Sequence, residues 1–182
     1  MRAPTSSPGE PQALVPGLLT PGVRYEVQSL GLSFEADAEW FAVLQAGGDL
    51  VLSREAVQVH FVRPLTVRQP DGRQAATPPS VEELVAAMEA TEEVRLTAVE
   101  PFEANGLTGL QADLMVNPGG DWVHLLQVAG GEFGLVTGAF RWVVLSTDVG
   151  PIVISIERPD DPDIAETWEV ASPLLASLQP IE

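Results

Sequence analysis

The chain has 182 residues, no cysteine and a net charge of −17 from nine basic and 26 acidic residues. Its length is that of one domain, and 45% hydrophobic against 19% charged residues mark a globular chain rather than a disordered one. Disulfides, thiolate catalysis and cysteine-ligated zinc are excluded, and so acidic a chain repels phosphate backbones, so nucleic acid is not an expected partner.

Residues 1–20 read as a flexible leader. Pro4, Pro8, Pro11 and Pro16 interrupt it, and Pro21 follows; proline denies helix and ladder hydrogen bonds. Residues 21–182 then form a single α+β domain. Leu30, Leu32 and Phe34 alternate with polar or small residues, which predicts a strand. Trp40 to Gln45 and Leu50 to Ser53 flank Ala46-Gly47-Gly48-Asp49, the pattern of a hairpin. Val57 to Val62 follows with Val57, Val59 and Phe61 on one face, and Pro64 ends or bends that strand.

Ser80 and Glu83 have the spacing of a capping box, and Val81, Leu84, Val85 and Met88 share one helical face. Glu82, Glu83 and Glu89 occupy the solvated side. Val94 to Val99, Leu110 to Val116 and Trp122 to Val128 read as further strands, with a turn at Asn105-Gly106. Phe133 to Val136 reads as a short or irregular strand. Trp142 to Thr147 and Ile152 to Glu157 form a final hairpin. Trp142 and Val144 point one way, Val143 and Leu145 the other, so the sheet needs cover on both faces. The last helix carries a stripe of Ile164, Trp168, Ala171, Leu174, Leu175 and Leu178. Pro173 predicts a kink, or a restart with Ser172 as a new cap. The architecture expected is an antiparallel sheet flanked by helices, an α/β/α sandwich.

No apolar run reaches the ~18 residues that cross a bilayer, and the first dozen residues contain no signal-peptide core. If Met1 follows a removed export segment the location is extracytoplasmic, in the periplasm or at the cell surface; if Met1 is the native start it is cytoplasmic.

His60 and His124 are the two histidines, each inside a strand pattern, and no nucleophile elbow accompanies them. A hydrolase built on Asp121 and His124 lacks a nearby nucleophile. Asp160, Asp161, Asp163 and Glu166 crowd oxygen donors that could attract calcium, but without the spacing of a known loop. Asp163 reads better as a helix N-cap with Glu166 closing a box. Glycine-rich stretches are short turns without phosphate-loop spacing. No cofactor is expected. Trp168, Trp142 and Trp122 are expected in the core, and Trp40 is ambiguous. Arg54, Arg63, Arg68 and Arg73 form a locally basic run in an acidic chain, a candidate interaction surface, together with the loop from Arg68 to Pro79.

Leu19-Thr20-Pro21-Gly22 with Tyr25, Phe34 and Trp40, the helix start Ser80-Val81-Glu82-Glu83-Leu84, the hairpin Phe102 to Gly109 and the tail Leu174 to Leu178 occur in a familiar order. Together they resemble bacterial exported or lipoprotein domains of the PsbP/Mog1/LpqN-like type. The resemblance implies an antiparallel sheet between helices, an extracytoplasmic setting and a non-catalytic role, and it transfers no functional residue. A non-enzymatic binding or protein-interaction domain is therefore expected, with another protein as partner. The alternative is a carrier of a small apolar, lipid-like ligand between sheet and helix.

Overall fold

The structure, a computed structural model, describes residues 11–68, 79–117, 122–159 and 163–181. Among these, fifteen strands and two α-helices form, and the strands sort into three sheets. The largest is antiparallel throughout, in the order β2 (Gly17–Leu18), β5 (Phe41–Leu44), β6 (Leu50–Arg54), β7 (Val57–Val62), β14 (Ile152–Glu157), β13 (Gly138–Ser146), β10 (Leu107–Val116), β9 (Val94–Ala104). A second sheet joins β1 (Gln12–Ala13), β3 (Arg24–Val27), β4 (Leu32–Glu35) and β15 (Gln179–Pro180). A third joins β12 (Gly131–Leu135), β11 (Val123–Val128) and β8 (Pro64–Val67). The helices are α1 (Val81–Glu89) and α2 (Ile164–Ala176).

The large sheet is apolar on both sides, and the period-two alternation of β13 shows how. Val143 and Leu145 enter one core with Val59, Phe61 and Ile154. Trp142 and Val144 enter the other with Leu114 and Val153. Over the first face lie the second sheet, through Tyr25, Leu32 and Phe34, and α2, through Ala171, Leu174 and Leu175. Over the second lie α1, through Leu84, Val85 and Met88, and the third sheet, through Val67, Leu126 and Val128. Burying apolar side chains on both faces is the main gain of the fold.

The expected α/β/α sandwich is therefore not what forms. Among the described residues the protein is mostly β, with 53% strand against 16% helix. Two short helices cannot cover an eight-stranded sheet, so each shares its face with a small sheet. The strands that build those covers are short, and two-residue strands leave no alternation to read.

Two further expectations are corrected. From residue 11 the leader lies on the domain: Gln12–Ala13 pairs in parallel with β3, Gly17–Leu18 pairs with β5, and Leu19 is buried. Pro11 and Pro16 flank these dipeptides rather than falling within them. Helix α2 runs as one element through Pro173 and does not restart at Ser172. Pro173 itself is exposed, while Ala171, Leu174 and Leu175 around it are fully buried, so packing outweighs the missing hydrogen bond.

Other local signals take the expected form. Ser80 and Glu83 close a reciprocal capping box on α1. The Asp163 side chain accepts from the backbone N–H groups of Ala165 and Glu166 at the start of α2, whereas the Glu166 carboxylate pairs with Arg158. Pro64 marks the point where the chain leaves the large sheet at Val62 and enters the third. Strand β9 forms the long outer edge of the large sheet. Thr97 to Pro101 is exposed along it, Ala98 has φ 51°, and the register shifts opposite it between Gln111 and Asp113.

Two contacts fasten α2 to the sheet. Arg141 and Asp113 face each other across β13 and β10, with Nε to Oδ1 at 2.6 Å and Nη2 to Oδ2 at 2.9 Å. The Arg141 guanidinium also lies 4.7 Å from the ring centre of Trp168 on α2. This combines a two-pronged charged pair with a cation–π contact. At the other end, Asn105 in the β9–β10 turn has φ 44° and donates from Nδ2 to the carbonyls of Ala176 and Leu178, at 2.8 and 3.0 Å. A hairpin turn thereby satisfies carbonyls that the end of α2 leaves open. Replacing Asn105 with Ala removes both bonds and puts a Cβ-bearing residue without a polar side chain at positive φ. Chemical denaturation is expected to show a loss of about 1–3 kcal/mol.

Candidate functional site

Arg54 and Arg63 of the candidate surface lie apart. Arg54 stands opposite Val57 at one end of β7, and Arg63 follows Val62 at the other, about 20 Å away along the strand. The Arg54 guanidinium is held by Asp37 at 3.3 Å and Glu55 at 3.1 Å, and lies 6.0 Å from the Trp40 ring centre. That is a structural site: Trp40 is fully buried and donates from Nε1 to Asp37. Arg63 donates its backbone N–H to Asp49, and its Nη1 reaches the Ser29 carbonyl. Arg73 lies outside the described residues, as does most of the loop from Arg68 to Pro79.

Arg68 differs from the others. It is exposed at the end of β8, its backbone N–H is fixed to the Leu125 carbonyl, and its guanidinium has no ion-pair partner among the described residues. It borders an open cleft of about 380 Å³ that is also lined by Thr91, Glu92, Glu93, Trp122 and His124. The first three belong to the turn between α1 and β9, and the last two begin β11.

Trp122 is the residue the sequence misplaces. It was expected in the core, yet it is 47% exposed. Neighbouring alternation is the reason: Val123 takes the inward position on β11, and Trp122 and His124 both point outward. The indole is nevertheless fixed. Its Nε1 donates to His124 Nδ1 at 3.1 Å, and the two ring centres are 5.6 Å apart. It also lies against Gly134 on β12, where an added Cβ would stand 2.5 Å from Nε1. His124 Nδ1 is in turn 2.7 Å from a carboxylate oxygen of Glu132.

The second histidine is a strand residue with hydrogen bonds, as expected. His60 Nε2 lies 3.1 Å from both Gln58 Oε1 and Glu157 Oε1. Ser155 is directly opposite His60 across β14 and β7, which places serine, histidine and glutamate close together. The Ser155 hydroxyl makes no hydrogen bond to the ring and is fully buried. Asp121, Asp160 and Asp161 lie outside the described residues. Among those described, no group of three metal-binding side chains comes together, and no helix is long and apolar enough to cross a membrane.

The space between the large sheet and α2, where a carried apolar ligand was considered, is filled by Leu145, Ile154, Leu174 and Leu175, all fully buried. Two clefts among the described residues lie at the surface. The second holds about 390 Å³ and is lined by Arg24, Glu26, Ser33, Asn105 and Gln179 among others.

No family model matches the chain, and no curated protein does. Among solved structures it is similar to the solution structure of cyanobacterial PsbP (CyanoP) from Synechocystis sp. PCC 6803, with a TM-score of 0.44 and 13% identity over 98% of this chain and 99% of that one. The likeness concerns the course of the chain and brings no ligand, partner or location with it.

Burial raises the Asp49 carboxyl above its ordinary value of 3.8, against the opposing pull of the Arg63 backbone N–H and guanidinium. An acid that holds its proton more tightly when folded favours the fold below its unfolded value, and that contribution is lost as pH rises through the folded value. Asp49→Asn keeps an acceptor oxygen without the charge. Paired urea unfolding curves are expected to show the variant gaining stability relative to the parent between about pH 3 and about pH 7.

Proposed function

We propose that this is a non-enzymatic binding domain that works outside the cytoplasm, and that it contacts a partner protein through the cleft bordered by Arg68, Trp122 and His124. The observation that carries this reading is Trp122, a large side chain half open to solvent and held in place by His124 and Gly134. A fixed aromatic face loses little conformational freedom on binding, and Trp and Arg are the side chains that most often dominate protein interfaces. Arg68 adds a cation without an ion-pair partner among the described residues, and Glu92 and Glu93 add acceptors. The extracytoplasmic setting is supported by the order of sequence motifs shared with exported domains.

A photoreactive amino acid at position 122, in the cells that make the protein, tests the site. Irradiation is expected to give a discrete adduct of protein mass, while the same group at Val149, also exposed and far along the chain, gives none. Equal labelling from both positions, or none from position 122, overturns the reading. An adduct of lipid mass on the unirradiated protein in native mass spectrometry would favour the carrier alternative instead. Cell fractionation checks location, with recovery outside the cytoplasm expected.

A further inference from the structure

His124 Nδ1 faces two partners that require it in opposite states. It lies 3.1 Å from Trp122 Nε1, which can only donate, and 2.7 Å from the Glu132 carboxylate, which at neutral pH can only accept. With a lone pair on Nδ1 the ring accepts from Trp122 and faces Glu132 without a shared proton. With a proton on Nδ1 the ring donates to Glu132, and the indole N–H meets another donor.

We propose that His124 is a proton-operated latch on Trp122. When the neutral imidazole carries its proton on Nε2, its Nδ1 holds the indole by the N–H; when Nδ1 is also protonated it turns to Glu132 and the indole donor is released into the cleft. All three side chains are on the surface, on β11 and β12, so protons exchange freely with solvent. Among the described residues, the other charged groups that line the same cleft as the ring are Arg68, at the end of β8, and Glu92 and Glu93, in the turn after α1. Imidazole titrates between about pH 5 and pH 8, the range that separates many extracytoplasmic settings from the cell interior. The significance for binding rests on the reading of Trp122 as the contact surface, but the latch itself is a property of the free protein.

The test is therefore made without a ligand. Proton–nitrogen NMR spectra of the four indole N–H groups are recorded from about pH 8 down to about pH 5, with Trp122 assigned by its loss in Trp122→Phe. The Trp122 signal is expected to move upfield and exchange faster with water as pH falls, while the signals of Trp40, Trp142 and Trp168 stay in place. In His124→Gln, whose amide oxygen accepts at every pH, the movement disappears. In Glu132→Gln it is smaller, because the protonated ring has lost the carboxylate to which Nδ1 turns. A stationary Trp122 signal in the parent, the same movement in His124→Gln, or a movement of undiminished size in Glu132→Gln each overturns the latch. Failure of photo-crosslinking at position 122 with the latch intact would instead remove the contact-site reading.

Discussion

A sheet that is apolar on both faces cannot stop at two layers. Val143 and Leu145 on one side of β13, and Trp142 and Val144 on the other, leave the protein no solvated face in its middle. Everything else in the fold answers that demand. Among the described residues only two α-helices form, and each side is closed by one helix and a small sheet. Arg141 shows how tightly the layers are tied: one guanidinium joins two strands of the large sheet to the helix above them.

This arrangement also decides where a binding surface can be. Among the described residues the interior faces are filled by side chains, so the contact surface proposed above lies at a rim, where a small sheet ends. Trp122 and His124 stand at such a rim, at the start of a strand whose next inward residue, Val123, anchors it in the core. The scaffold supplies rigidity and the rim supplies chemistry, a division common where loops and strand ends carry function.

Much of this was legible in the residues. The hairpin across Ala46 to Asp49, the capping box of Ser80 and Glu83, the turn at Asn105-Gly106 and the two-faced pattern of β13 all form as their local chemistry dictates. What escaped were features decided by tertiary context. The dipeptides Gln12–Ala13 and Gly17–Leu18 pair only because a distant edge is offered to them. Pro173 stays in a helix because its neighbours are buried. Trp122 was placed inside on its hydrophobicity, although its position immediately before Val123 held the signal that it faces outward. The arginine run was read as a surface from spacing along the chain, but the β6–β7 hairpin sends Arg54 and Arg63 to opposite ends.

The outer strand β9 carries a further implication. An eleven-residue border strand is long enough to recruit a stray chain by backbone pairing. Here the positive φ of Ala98 bends it and the ring of Pro101 deletes one of its donors, both within the exposed stretch. Glu100 and Glu103 flank the break with like charge. In a protein built largely of pleated layers, these are the devices that blunt an open margin against lateral growth.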